Sequence, residues 1–183
     1  MNRSLIVFIF TLIFFLPAIS YSAQPIKIYQ VSEGIYRGPR PALTDLQHLQ
    51  QMGIRTVINL DNVTSVFKWE KEQVENLGMT FINHPLSGFW APKKSVMEQV
   101  LKELDDPNLY PIYLHCKHGQ DRTGLAIGLY RVFYQGWTPA KSYSEMRYYG
   151  FHPILFPLKM FFRRMTSGIH VQQGILEENE VLE

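Results

Sequence analysis

Apolar positions along this chain follow two alternating periods. "IKIYQVSEGIYRGPRP" reads as two short strands about a turn at Glu33-Gly34, closed by Gly38, Pro39 and Pro41. Leu43–Met52 has helical spacing, with Thr44 as candidate N-cap and Gly53 in the C-cap position. "RTVINL" is a β-branched run ending at Leu60 or Asp61, the pattern of a buried strand. A second helix is predicted over Val66–Leu77, stopped by Gly78, with "MTFINH" as the next strand. "PLSGFWAP" is a loop by its Pro and Gly content, and Lys93–Asp105 is a helix with Val96, Val100, Leu101 and Leu104 on one face. "YPIYLHC" is an apolar strand that runs into a glycine-containing loop. A helix over Thr123–Gln135 follows, ended by Gly136. Thr138 and Pro139 supply an N-cap and an N1 proline for a helix to about Tyr149. "ILFPLKMFFRRM" is the last predicted helix, with Pro157 early in it.

Strands alternating with helices predict an α/β fold, a compact and mainly parallel central sheet flanked by helices on both faces. Such sheets bind ligands beyond the carboxyl ends of their strands. Cys116 falls at such an end, between a strand and a helix N-terminus.

The first residues break the globular pattern. "MNRSLIVFIFTLIFFLPAISYSAQ" carries Arg3, an apolar run over Leu5–Leu16, then Pro17 and small residues. The run is too short to span a bilayer comfortably but has the length of a signal-peptide core. Residues 1–23 are therefore expected to direct export, to a periplasm or out of the cell, with cleavage after Ser20 or Ala23. An uncleaved membrane anchor is the alternative. Residues 26–168 are expected to form one domain and 169–183 an acidic, frayed tail. The 183 residues are 46% hydrophobic, enough for a real core. A formal charge of +2 supplies no global field for nucleic acid, so any affinity for anions must be local.

Cys116 is the single cysteine and can form no internal disulfide. A lone cysteine is usually a small buried hydrophobe. Here, though, a loop runs from it to Arg122, and the backbone N–H groups of Lys117, His118, Gly119, Gln120, Asp121 and Arg122 can converge on one anion. Gly119 lets the chain bend closely, and the following helix aims its positive end into the same space. These features lower a thiol pKa and hold a phosphate beside it. Arg122 offers a fork that matches two phosphate oxygens. Thr123 can donate its hydroxyl to a thiolate. His115 and His118 flank the cysteine without the ligand number or spacing of a zinc site, so no metal and no cofactor are expected. His48, His84, His152 and His170 are scattered and singly read as structural.

"HCKHGQDRTG" resembles the H-C-x5-R-[ST]-G signature of cysteine-based phosphatases, the protein tyrosine and dual-specificity phosphatase superfamily. The layout over Ile28–Tyr149 resembles a compact dual-specificity phosphatase domain. "GIYRGPRP" is similar to an element near the start of small atypical members. The resemblance implies that Cys116 is a nucleophile forming a phosphocysteine, that Arg122 binds phosphate and that His115 helps set the thiolate.

Larger tyrosine phosphatases place their general acid in a Trp-Pro-Asp loop. The corresponding "PLSGFWAPKK" has Trp90 and Pro92 but no carboxylate. Asp121, beside Arg122, is the favoured acid, by resemblance to phosphatases with Asp before the arginine. A bracing role for Asp121 and the use of Asp61 instead remain open, with Asp105 and Asp106 expected on the far side. The expected substrates are phosphorylated proteins. The alternative is a phosphoinositide or inositol phosphate, suggested by the basic Lys117 and His118 and by Arg37 and Arg40, which could line the mouth or stabilise turns. A non-catalytic phosphate-binding module is the remaining class, against which intact Cys116, Arg122 and Thr123 argue. No nucleic-acid partner is expected, because "KMFFRRM" reads first as a core-facing amphipathic helix. Membrane contact is expected only through an uncleaved N-terminus or a lipid substrate.

Overall fold

A computed structural model describes residues 26–169. The expected signal segment and the tail beyond Ile169 lie outside the described residues. Strands β1 (Tyr29–Ser32) and β2 (Ile35–Pro39) form the expected hairpin about Gly34. Then come α1 (Leu43–Gln51), β3 (Thr56–Asn59), α2 (Thr64–Asn76), β4 (Thr80–Asn83) and α3 (Lys94–Leu104). A 3-10 turn (Pro107–Leu109) leads to β5 (Ile112–Cys116), followed by α4 (Asp121–Tyr134), α5 (Pro139–Tyr148) and α6 (Phe156–Thr166). The sheet order is β1-β2-β5-β3-β4, with β1 antiparallel at one edge and the other four strands parallel.

β5 is the central strand, and all five of its residues are buried. A parallel strand covered on both faces needs apolar side chains in both directions, which is why "IYLHC" lacks a polar alternation. Its side chains part between two cores. Ile112, Leu114 and Cys116 join Ile58, Leu60 and residues of α3, α4 and α6 on one face. Tyr113 joins Val57, Leu46, Leu49 and Val74 on the other, under α1 and α2. Helix α4 is buried from Arg122 to Val132, as expected of a helix apolar on every side.

Helix α1 starts at Leu43 as expected but with another cap, and α2, α3, α4 and α6 start one or two residues from the sequence expectation. Thr44 lies inside α1, and the N-cap is Ala42, whose N–H donates to Asp45 Oδ2 at 2.8 Å. The carboxylate three residues on thus supplies the reciprocal half of a capping box, although alanine offers no side-chain acceptor to the first turn. Helix α2 opens at Thr64 rather than Val66. Helix α4 opens at Asp121 rather than Thr123, which puts Asp121 and Arg122 in its first turn. Thr138 caps α5 as expected, accepting from Lys141 N at 3.2 Å.

Helices α4 and α5 pack closely because Gly128 has no side chain. A Cβ there would press on Met146 and Ser142, and Ser142 Oγ donates to the Gly128 carbonyl at 2.6 Å. Arg131 and Glu145 clasp the same pair of helices through Nε–Oε2 and Nη2–Oε1 contacts of 3.0 and 2.6 Å. Gly128→Val is expected to force the two helices apart and lower unfolding free energy by about 1–3 kcal/mol, the usual cost of overpacking. Urea denaturation reads the change directly.

Candidate active site

The loop from Cys116 to Arg122 sits on the carboxyl end of β2. The parallel register sets Pro39 opposite Cys116, and beyond the strands the contact continues. Arg40 N donates to the Lys117 carbonyl at 3.4 Å, and Arg37 Nη2 donates to the Gly119 carbonyl at 2.8 Å. Gly119 adopts φ 68°, and a Cβ there would collide with the Gly38 carbonyl. Glycine thus meets two needs at once, a left-handed turn and backbone-on-backbone contact. Among the described residues, no acceptor takes the backbone N–H groups of residues 117–123. A row of free donors at a helix start is an anion cradle.

Arg122 is 7% exposed, and its Nη1 is fixed by four oxygens. These are the carbonyls of Leu60 and Leu86 at 3.3 Å, Asp61 Oδ1 at 3.4 Å and Asn62 Oδ1 at 3.5 Å. All four follow β3 or β4, on the same edge of the sheet. Among the described residues Nε and Nη2 have no acceptor, so one nitrogen anchors the guanidinium and the other two remain for a ligand.

Asp61, the second candidate for the acid, is this anchor. Its side chain is 1% exposed. Oδ2 accepts from Arg40 Nε at 3.1 Å and from Arg40 Nη2, while Oδ1 takes Arg122 and Asn62 N. Burial pushes its carboxyl up. The Arg40 hydrogen bond and the charges of Arg122 and Arg40 outweigh this and leave it below the usual carboxylate range. A carboxylate so held keeps its charge and does not donate a proton near neutrality. Arg40 therefore makes a half-buried ion pair, and Arg37 lies beneath the loop with its guanidinium 4.5 Å from the Tyr149 ring centroid.

Cys116, 2% exposed, lines a cavity of about 370 Å³ with Gly88, His118, Asp121 and Arg122, closed on the far side by His152, Ile154 and Leu155. Gly119 and Gln120 face a neighbouring cavity of about 620 Å³ instead, with Lys27, Tyr29, Tyr148 and Tyr149. His118 borders both. Lys117 is exposed and lines neither. Thr123 is fully buried, its Oγ1 without a hydrogen-bond partner among the described residues.

Strand alternation sends the His115 ring to the face opposite Cys116. It is fully buried, stacked on Tyr113 with centroids 5.6 Å apart, and its Nε2 lies 2.6 Å from Glu70 Oε1 without hydrogen-bond alignment. Glu70 also accepts from Asn59 Nδ2 at 2.5 Å. His115 is thereby placed to brace the strand end beneath the loop. Burial pushes the Tyr113 hydroxyl up, so it stays protonated and donates to the Pro39 carbonyl at 2.6 Å.

The loop at the place of the Trp-Pro-Asp motif approaches the site through Gly88. Its Ser87 Oγ accepts from Phe89 N and Trp90 N at 3.2 and 3.0 Å. Phe89 and Trp90 are exposed. Asp105 and Asp106 end α3 and do not line the Cys116 cavity. Glu70 escaped the sequence reading, which left Arg37 between the mouth and a turn and took His152 as structural, since each acts through a partner distant in sequence. Among the described residues, no group of three or more His, Cys, Asp or Glu is arranged to hold a metal ion.

The Asp61 clamp sets a pH dependence. A carboxyl depressed below its ordinary 3.8 contributes stability that is complete above that value and is lost as pH falls through the depressed one. Asp61→Asn is expected to flatten the loss of stability below about pH 4, read as melting temperature against pH. It is also expected to weaken binding of inorganic phosphate about tenfold, the worth of one misaligned charge-assisted bond, measured by calorimetry.

A model of the tyrosine phosphatase family matches residues 23–174. The dual specificity protein phosphatase TpbA of Pseudomonas aeruginosa is 27% identical over 137 residues, covering 74% of this chain and 60% of that protein. The chain thus spans about three fifths of the length of this curated relative. The core catalytic domain of the PP-IP phosphatase SIW14 from S. cerevisiae superposes with a TM-score of 0.68 at 20% identity, over 88% of this chain and 98% of that one. A structure of TpbA in complex with pTyr gives 0.65 at 20% identity, over 81% and 90%. The two structural likenesses bear on the fold, and the family model covers most of the sequence. The chain belongs to the tyrosine phosphatase family.

Proposed function

We propose that the protein is a cysteine-dependent phosphatase that hydrolyses phosphate monoesters on proteins, phosphotyrosine first among them. The observation that carries this reading is Arg122. It is pinned through Nη1 to the ends of β3 and β4, while Nε and Nη2 stay open beside Cys116 and the free loop amides. In the first step the Cys116 thiolate attacks phosphorus, the Sγ–P bond forms and the P–O bond to the leaving group breaks. The amides and Arg122 hold the equatorial oxygens as charge develops on them. Water then cleaves the Sγ–P bond, releasing phosphate and the thiolate, toward which Thr123 directs its otherwise unpartnered hydroxyl. His115 steadies the strand end from below.

A second reading has its own support. The 620 Å³ cavity beside the loop presents Lys27, His118 and Gln120, groups suited to further phosphates on an inositol ring, and SIW14 is named a PP-IP phosphatase. The protein reading is preferred because exposed Ile154 lines the Cys116 cavity and further exposed apolar residues adjoin its lining along the chain. Phe89 and Trp90 follow Gly88, and Ile154 and Phe156 flank Leu155, with exposures of 51, 66, 84 and 61%. Such surroundings suit an aromatic side chain on a peptide better than a polyanion.

We further propose export, on the N-terminal apolar run over Leu5–Leu16. Among the described residues no helix is long and apolar enough to cross a membrane.

Release of p-nitrophenol from its phosphate ester is expected to vanish in Cys116→Ser and to fall by roughly 10²–10³-fold in Arg122→Lys. A phosphotyrosine peptide is expected to exceed inositol hexakisphosphate in kcat/KM, and the opposite order selects the second reading. Mass spectrometry of the protein from expressing cells is expected to find the N-terminus at Tyr21 or Gln24. An intact leader would place the chain on the membrane instead.

A further inference from the structure

The phosphatase reading leaves one group unassigned, the one that protonates the departing oxygen. The equivalent of the acid loop contributes Gly88 to the cavity and no carboxylate, and Asp61 is spoken for by two guanidiniums. The groups around the cavity that exchange protons are Cys116, His118, Asp121 and His152, with Arg122 as a fixed cation. Cys116 is the nucleophile. Asp121 already has work for both oxygens. Oδ1 accepts from His152 N at 2.8 Å and lies 3.0 Å from His152 Nδ1, and Oδ2 lies 3.2 Å from the same nitrogen. His118 has no hydrogen-bond partner among the described residues to hold its ring.

His152 is different. It sits between α5 and α6, with its backbone and ring both secured by Asp121 from the first turn of α4. With Nδ1–H donated to the carboxylate, the nitrogen left for the cavity is Nε2. The side chain is 56% exposed and lines the same cavity as Cys116 and Arg122.

We propose that His152 is the general acid of the first step and the general base of the second, and that Asp121 is its positioning residue. The proposal rests on the phosphatase reading above. Imidazolium Nε2–H gives its proton to the ester oxygen as the P–O bond breaks and Sγ–P forms, leaving neutral imidazole and an alcohol. Nε2 then takes a proton from water as the water oxygen bonds to phosphorus and Sγ–P breaks, which restores imidazolium and thiolate and releases phosphate. Asp121 exchanges no proton with the substrate in either step. It orients the ring and balances the charge, the part an aspartate plays for a catalytic histidine elsewhere.

The test compares His152→Gln, Asp121→Asn and wild type on two esters. p-Nitrophenyl phosphate has a leaving group that needs little protonation, whereas phenyl phosphate has one that needs more. His152→Gln is expected to lose roughly 10²–10⁴-fold in kcat/KM on phenyl phosphate and only about threefold on p-nitrophenyl phosphate. The fall of wild-type kcat/KM on phenyl phosphate with rising pH should be absent from the variant. Asp121→Asn should show the same discrimination between the two esters, which a merely structural role would not produce. Equal losses on both esters, or an unchanged pH profile in His152→Gln, would overturn the assignment, as would disappearance of the falling limb in His118→Gln instead. Wild type inert on p-nitrophenyl phosphate, or Cys116→Ser as active as wild type, sinks the phosphatase reading itself and this inference with it.

Discussion

The Asp61 carboxylate, sealed between Arg40 and Arg122 at the end of β3, is the contact on which the site depends. Taking the Asp61 and Arg122 charges out of water, with Arg40 half-buried beside them, is costly unless each is paired and hydrogen-bonded, and here the pairing has direction. Arg40 lies just beyond β2 and also donates its backbone N–H to the Lys117 carbonyl. Arg122 opens α4 and is held to the ends of β3 and β4. One buried anion therefore joins the β2 end, the β3 end and the first turn of α4, with the loop between β5 and α4 stretched across them. The same pairing that makes Asp61 a poor acid makes it a good anchor.

A second layer lies under the loop. Arg37 reaches up from β2 to the Gly119 carbonyl while its guanidinium covers Tyr149. On the opposite face of the sheet, His115, Glu70 and Asn59 form a buried polar cluster against Tyr113. Buried polar groups stay in place only when their partners are in place, so these clusters hold the loop more rigidly than apolar packing alone would. Rigidity is what a row of backbone amides needs if it is to meet an anion without reorganising.

The division between Cys116 and His115 follows from the two-residue period of a strand. Adjacent residues face opposite ways, so the cysteine points into the large core and cavity while the histidine points under α1 and α2. What is adjacent in sequence is apart in chemistry. The reverse holds for Asp121 and His152, which are 31 positions apart and share a hydrogen bond because α4 and the α5–α6 connection meet at the mouth.

By itself the sequence determined the strand–helix alternation, the place of Cys116 at a strand end, and the loop with its glycine and arginine. These are local properties, set by hydrophobic period, turn chemistry and spacing along a continuous segment. It also showed that the usual acid position is empty, since "GFWAPKK" holds no carboxylate. Helix starts were legible only to within two residues, because hydrophobic period does not mark where the first helical turn begins. Only the tertiary structure decided the roles of residues that act through distant partners. Asp61 became an anchor because Arg40 and Arg122 converge on it, Arg37 went beneath the loop rather than to its mouth, and His152 joined Asp121. A carboxylate or imidazole has no fixed role in isolation. Its charge and its direction are set by what folding places against it.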